Sequence, residues 1–176
     1  MYGELSDRDI DAILKRHRFG RLGFTLGDEV FIIPINYGYG SEGMRLYGYA
    51  PEGTKVQGMR QNPRVAFEVD EIDDPAHWRS VLVQGRYVEM HERAEKEAAF
   101  RRVVLQAGGG ESSEVTFATD VNHVVVFAIE IRQRSGRFEQ RQAIGLSLKT
   151  ALAVDVSERG VAQQWNARTQ PGAPID

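Results

Sequence analysis

The sequence predicts a mainly β (α+β) fold, a six-stranded antiparallel barrel with flanking helices. Three observations predict it. Six stretches rich in Val, Ile, Phe and Tyr are separated mostly by short Gly-bearing turns, the pattern of strands joined by hairpins. Helical periodicity occurs at the start of the chain, after the third strand and after the fifth. The 176 residues carry no internal repeat and no low-complexity block, so one domain over 1–146 is expected, followed by a C-terminal extension over 147–176, partly helical or disordered.

Each element has its local reason. Ser6-Asp7-Arg8-Asp9 has capping-box spacing, Leu5 and Ile10 stand where a hydrophobic staple closes, and Ile10, Ile13 and Leu14 form one apolar stripe. Lys15, Arg16, His17 and Arg18 crowd the C-terminal end, where the helix dipole favours cations, so a short helix ends before Gly20. Strand one, 21–26, runs into Gly27-Asp28, a two-residue hairpin loop, and strand two returns over 29–39. Pro34 in its middle cannot donate to a ladder, which demands an edge, a bulge or a ligand-facing backbone. Strand three covers 44–49, a helix 55–62, and Pro63 restarts the chain into strand four, 64–70. Asp73-Asp74-Pro75 reads as a loop, 78–91 as a long strand with a bulge at Gly85, and 94–107 as a helix. A Gly/Ser link over 108–113 precedes strand six, 121–134, apolar enough to be covered on both faces or to form a subunit contact. Residues 147–166 could add a helix and 167–176 a loose tail.

Composition narrows the function. A net charge of −3 and a pI near 5.9 give no basic footprint, so no nucleic-acid partner is expected. The absence of cysteine excludes disulfides, thiolate metal sites and a cysteine nucleophile. The longest apolar run, 124–129, is far short of the roughly 20 residues a membrane helix needs, so no membrane partner is expected. Glu4, Asp7, Asp9 and Asp11 replace any basic-then-apolar signal pattern, leaving the cytoplasm as the expected location. The four histidines, His17, His77, His91 and His123, have no ligand spacing, so no metal site is expected. The acidic run 70–74 lacks the Gly turn and terminal Glu of a calcium loop and reads as a solvated loop. No nucleophile elbow and no dinucleotide fingerprint is present, and no residue stands out as catalytic.

The most informative segment is Leu46-Tyr47-Gly48-Tyr49-Ala50-Pro51-Glu52-Gly53-Thr54-Lys55. A strand stops at Ala50-Pro51, a Gly-bearing turn follows, and a helix opens at Lys55. Free N–H groups of a helix start, joined by a lysine charge, make a seat for a mononucleotide phosphate.

In order, the chain contains Pro-Ile-Asn-Tyr (34–37), the Tyr/Gly/Lys segment just quoted, Met-Arg-Gln-Asn-Pro-Arg-Val-Ala-Phe-Glu-Val-Asp (59–70) and Trp-Arg-Ser-Val-Leu-Val-Gln-Gly-Arg (78–86). This order resembles the pyridoxamine 5′-phosphate oxidase-like flavoproteins, and within them the branch of nitroimidazole-resistance proteins. The resemblance spans about residues 6–131. It implies an FMN-binding split barrel, a homodimer, and FMN in the cleft between subunits, acting as an oxidoreductase on a small organic acceptor. By resemblance, Lys55 and Thr54 meet the phosphate; Pro34, Ile35, Asn36 and Tyr37 line the isoalloxazine, partly through main-chain groups; Tyr47, Gly48 and Tyr49 run beside the ring and ribityl chain. Gly48 is expected to admit the ligand where a side chain would intrude. Trp78, Arg79 and Ser80 approach the flavin, often from the partner. NAD(P)H would visit as a transient electron donor.

The chain also departs from that pattern. Many nitroimidazole-resistance relatives carry His-Ser where Gly48-Tyr49 stands, so that route of nitro reduction is not implied. Pyridoxamine phosphate oxidases proper have Arg-Lys where this chain has Thr54-Lys55, and Trp165 and Arg168 do not reproduce their C-terminal segment, which sets vitamin B6 oxidation aside. The rival expectation is a non-catalytic flavin- or haem-binding carrier or sensor.

Overall fold

The computed structural model describes residues 1–108 and 123–141. Residues 109–113 of the linker expected over 108–113, the first residues of the sixth predicted strand and everything expected of 147–176, Trp165 and Arg168 included, lie outside the described residues.

The elements run β1 (Tyr2–Glu4), α1 (Asp7–Arg16), β2 (Phe19–Leu26), β3 (Glu29–Asn36), β4 (Gly38–Gly40), β5 (Arg45–Ala50), α2 (Thr54–Gln61), β6 (Arg64–Asp74), β7 (His77–Glu89), α3 (Arg93–Gln106) and β8 (Val125–Gln140). All strand pairs are antiparallel, in one sheet ordered β3-β2-β6-β7-β8-β5-β4, with β1 added beside β8. The sheet is not a closed barrel, because its end strands β3 and β4 do not pair. Among the described residues eight strands replace the six expected: β1 adds one, and the predicted second strand divides at Tyr37 into β3 and β4.

Local predictions explain much of this. Ser6 Oγ accepts from Asp9 N–H and caps α1, whose Ile10, Ile13 and Leu14 are buried in the main core. Leu26 pairs with Glu29 across Gly27-Asp28, with Gly27 at φ 60°, so the two-residue hairpin stands. Pro34 is tolerated because β3 is an edge strand. The bulge near Gly85 exists, but the additional residue, Arg132, is on β8: Gln84 faces Gln133 and Gly85 faces Ile131.

One expectation is corrected, and another is decided between its alternatives. The acidic stretch Asp70–Asp74 is strand, not loop, because β6 pairs with β7 as far as Asp74–His77. Side chains remote in sequence meet two of its carboxylates, Arg21 contacting Asp70 and Arg16 and His17 contacting Glu71, while the nearby His77 contacts Asp74. The apolar run of β8 is covered on both faces within the chain. Val125, Phe127 and Ile129 join the main core, while Val126 and Ala128 pack with Met90 and Ala99 beneath α3.

Candidate functional site

α2 is held hard against β2. A Cβ at Gly58 would lie 2.7 Å from both Phe24 Cδ2 and Thr25 O, so only glycine admits this approach. Val56 and Met59 bury beside Gly58, and Asn62 Nδ2 donates to Thr25 Oγ1 at 2.9 Å, fixing the helix end. The opposite end is open. Gly53 offers no side-chain cap, and the first turn contains no acid. Into this first turn the chain places Lys55, half-buried and without a hydrogen bond or ion pair among the described residues. Burial alone pulls its ammonium below its ordinary pKa. The contrast with α1 is direct, since that helix start is closed by Ser6 and carries Asp7 and Asp9. Thr54, the first residue of α2, is exposed.

The turn leading to Lys55 is braced from behind. Arg60 donates to both oxygens of Glu52 at 2.9 and 3.0 Å and to both oxygens of Glu89 at 2.8 Å. Tyr87, buried against Phe127, donates its hydroxyl to Glu89. Hydrogen bonds first from Arg60 hold the Glu89 carboxyl below its usual value. Nothing local in the sequence marks Arg60 for this role. Its spacing of eight from Glu52 gives no cue, because Glu52 lies outside the helix.

The other predicted site residues distribute over three surfaces. Pro34 and Asn36 share the outer face of the sheet with Ser80 and Trp78. Across it, Pro34, Arg21, Glu68, Leu82 and Ser135 form one row. Pro34 and Leu82 are therefore about 14 Å apart, three strand spacings. This face is uncovered and apolar for a sheet exposed to water: Val30 is 73% exposed, Ile32 70%, Phe19 62% and Leu82 41%. Ser80 Oγ donates to Glu68, and Trp78 Nε1 donates to Glu139 with its ring edge-on to Tyr2. Arg79 points the opposite way. With Arg16, His17, Glu71, Trp78 and Phe138 it lines a cleft of about 530 Å³ beside the end of α1.

Tyr47 and Tyr49 face α3, Tyr49 against Phe100 at 4.9 Å and Tyr47 beneath Arg102. Three expectations need correction. Tyr37 is fully buried; its ring packs edge-on to Phe67 and its hydroxyl donates to Leu14 O at 2.9 Å, so its side chain belongs to the core and lines no ligand cleft. Ile35 likewise turns its side chain into the core. Gly48 is glycine because the Phe127 ring occupies its side-chain space, with a Cβ meeting Phe127 Cζ at 2.6 Å; close approach of a ligand is not the reason. Within one chain, the structure does not gather the predicted residues into a single cleft.

A second polar cluster went unread in the sequence. Tyr39 and Arg134 both donate to Asp11, tying β4 and β8 to α1. Burial works to raise the Asp11 carboxyl, but these hydrogen bonds outweigh it and hold it below its ordinary value. Burial and Asp11 push the Tyr39 hydroxyl up to about 12. Gln106 donates to Leu14 O and His17 O and accepts from Tyr39 N–H, locking the end of α3 to α1.

The model of the pyridoxamine 5′-phosphate oxidase family matches residues 6–138, nearly the whole described fold. The chain belongs to the pyridoxamine 5′-phosphate oxidase family. A FAD-binding protein from Mesorhizobium loti has a similar structure, at 29% identity and a TM-score of 0.64 over 80% of this chain and 99% of that one. So has a candidate 5-nitroimidazole antibiotic resistance protein from Bacteroides thetaiotaomicron, at 19% identity and a TM-score of 0.65 over 78% of this chain and 87% of that one. At that identity the likeness concerns the fold. An uncharacterized protein of Rhizobium meliloti is 33% identical over 86 residues, 49% of this chain; the match spans only 56% of that relative. The split-barrel fold implied by the quoted motifs is the fold shared with these neighbours, here an open antiparallel sheet rather than a closed cylinder. No helix among the described residues is long and apolar enough to cross a membrane.

Proposed function

We propose that this protein binds a flavin, FMN in the first instance, with the phosphate on Lys55 and the open N-terminus of α2, and acts as an FMN-dependent oxidoreductase at a homodimer cleft. One observation carries the reading: a half-buried lysine without a counter-ion among the described residues, in the first turn of a helix left uncapped and free of acid. Burying an unpaired ammonium is costly, and a phosphate dianion would supply the missing charge while accepting from the first N–H groups of α2. Membership of the family supports flavin as the group that carries the phosphate.

The homodimer is supported by the outer sheet face. Phe19, Val30, Ile32 and Leu82 would leave water, and Pro34, Asn36, Trp78 and Ser80 stand among them. A cleft between two copies would reunite residues that one chain keeps on separate surfaces. The flavin would supply hydride chemistry to a small organic acceptor, with NAD(P)H as transient donor. This chain's residues would position it: Lys55 and Thr54 at the phosphate, the free edge of β3 beside Pro34 at the ring.

FAD is the second reading, favoured by the name of the Mesorhizobium loti relative. FAD presents the same ribityl phosphate with an adenylate attached, so the two readings share the Lys55 seat. Purification without added cofactor, with identification of any released flavin and sedimentation of the protein, tests these points together. A dimer carrying FMN that is bleached by NADPH or NADH and reoxidised by a nitro compound or quinone supports the enzyme. A dimer whose flavin resists both donors is a carrier. A colourless monomer that takes up no added flavin overturns the proposal.

A further inference from the structure

We infer that Arg60 is a positioning residue for the phosphate seat, acting by neutralising Glu52 and folding it back along α2, away from the anion that Lys55 would hold. The inference rests on the phosphate reading above and names the group that makes that seat electrostatically possible.

Glu52 immediately precedes Gly53, the residue that opens α2, and stands three positions before Lys55. A free carboxylate there would share the positive end of the helix with an incoming phosphate and repel it. The structure gives that carboxylate another partner at the far end of the helix. Arg60, in the last turn, grips both oxygens of Glu52 with one part of its fork and both oxygens of Glu89 with the other.

Most exposed ion pairs contribute little, because long side chains must be ordered to make them. This one differs in geometry. The guanidinium makes four hydrogen bonds between 2.8 and 3.0 Å, bidentate to each carboxylate. Its anchor is stiff as well. Glu89 is at the end of β7 and receives the hydroxyl of the buried Tyr87, whose N–H donates to Pro63 O just beyond α2. Glu52 itself is the exposed member, with a side chain 63% exposed and Arg60 its ion-pair partner among the described residues. Loss of Arg60 therefore releases Glu52 while Glu89 keeps Tyr87.

The test compares riboflavin phosphate with riboflavin, which lacks the phosphate, by quenching of flavin fluorescence on full-length protein. Arg60→Gln is expected to weaken riboflavin phosphate by about tenfold, the scale of one lost charge-assisted hydrogen bond, and to leave riboflavin unchanged. Adding Glu52→Gln to that variant is expected to restore most of the loss, because the carboxylate that Arg60 restrains is gone. A purely structural role predicts no such rescue and predicts equal losses for both flavins; either result overturns the inference. Should Arg60→Gln fail to fold, Glu52→Gln alone decides. Retained or tighter riboflavin phosphate binding supports the role, and selective weakening overturns it. If the unaltered protein binds both flavins equally, the phosphate seat itself is absent and the inference falls with it. If it prefers the phosphate and Arg60→Gln keeps that preference, only the role of Arg60 is lost.

Discussion

Replacing Lys55 by Met separates binding from stability, because the two respond in opposite directions. At an effective dielectric near 20, two unit charges about 4 Å apart attract by roughly 4 kcal/mol. Desolvating the phosphate takes back part of this, leaving about 1.5–3 kcal/mol for a hydrogen bond between charged groups. Riboflavin phosphate should therefore bind about 10- to 150-fold more weakly to Lys55→Met, while riboflavin binds as before. The flavin-free protein should melt higher than the unaltered one, since methionine keeps the length of the side chain and removes a half-buried charge that has no partner among the described residues. The sign with pH follows. Lys55 is held below its ordinary value of 10.5, so the folded state binds fewer protons than the unfolded state between the two pKa values. Its penalty is present at neutral pH and lifts as pH climbs toward 10.5; the variant should lack that rise. Paired fluorescence titrations and thermal melts of the flavin-free protein read all three. Equal loss of both flavins would mean that the site has collapsed, and unchanged phosphate affinity would remove Lys55 from it.

Three further outcomes are expected. Tyr37→Phe should cost about 1 kcal/mol in denaturant unfolding through the lost bond to Leu14 O, and leave flavin affinity intact; a selective loss of flavin would return Tyr37 to the site. Gly58→Ala should destabilise by about 1–3 kcal/mol despite the better helix propensity of alanine, because its methyl meets Phe24 and Thr25 O; a stabilised variant would show that α2 can move off β2. Asp11→Asn should lower stability at pH 7 by about 1–3 kcal/mol. Because the Asp11 carboxyl is held below 3.8, that contribution is full above 3.8 and lost as pH falls through the lower folded value, so the two proteins should converge in acid; a gap that persists there would assign the effect to packing.

Legibility in the sequence followed the range of the interactions involved. Ser6 to Asp9, Gly27-Asp28 and Gly53 to Lys55 are each settled within four residues, and those features were readable from spacing alone. β1 was not readable, because Tyr2–Glu4 become a strand only by pairing with Arg137–Glu139 at the other end of the fold. The acidic end of β6 resembled a loop for the same reason, its partners arriving from Arg16, His17 and Arg21. For the candidate site, the resemblance singled out the strand, turn and lysine but could not say which way side chains faced. Tyr37 and Gly48 both sit in the right motif, yet Phe67 and Phe127 determine that one is core and the other a packing gap. Arg60 required knowing that the turn folds back along its own helix.

A crystal structure grown with riboflavin phosphate examines the binding proposal at its source. The phosphate should rest within hydrogen-bonding distance of Lys55 Nζ and the first N–H groups of α2, with the ring between two copies beside Pro34 of one and Trp78 of the other. A flavin bound elsewhere, or a phosphate turned to solvent with Lys55 still unpaired, would contradict it.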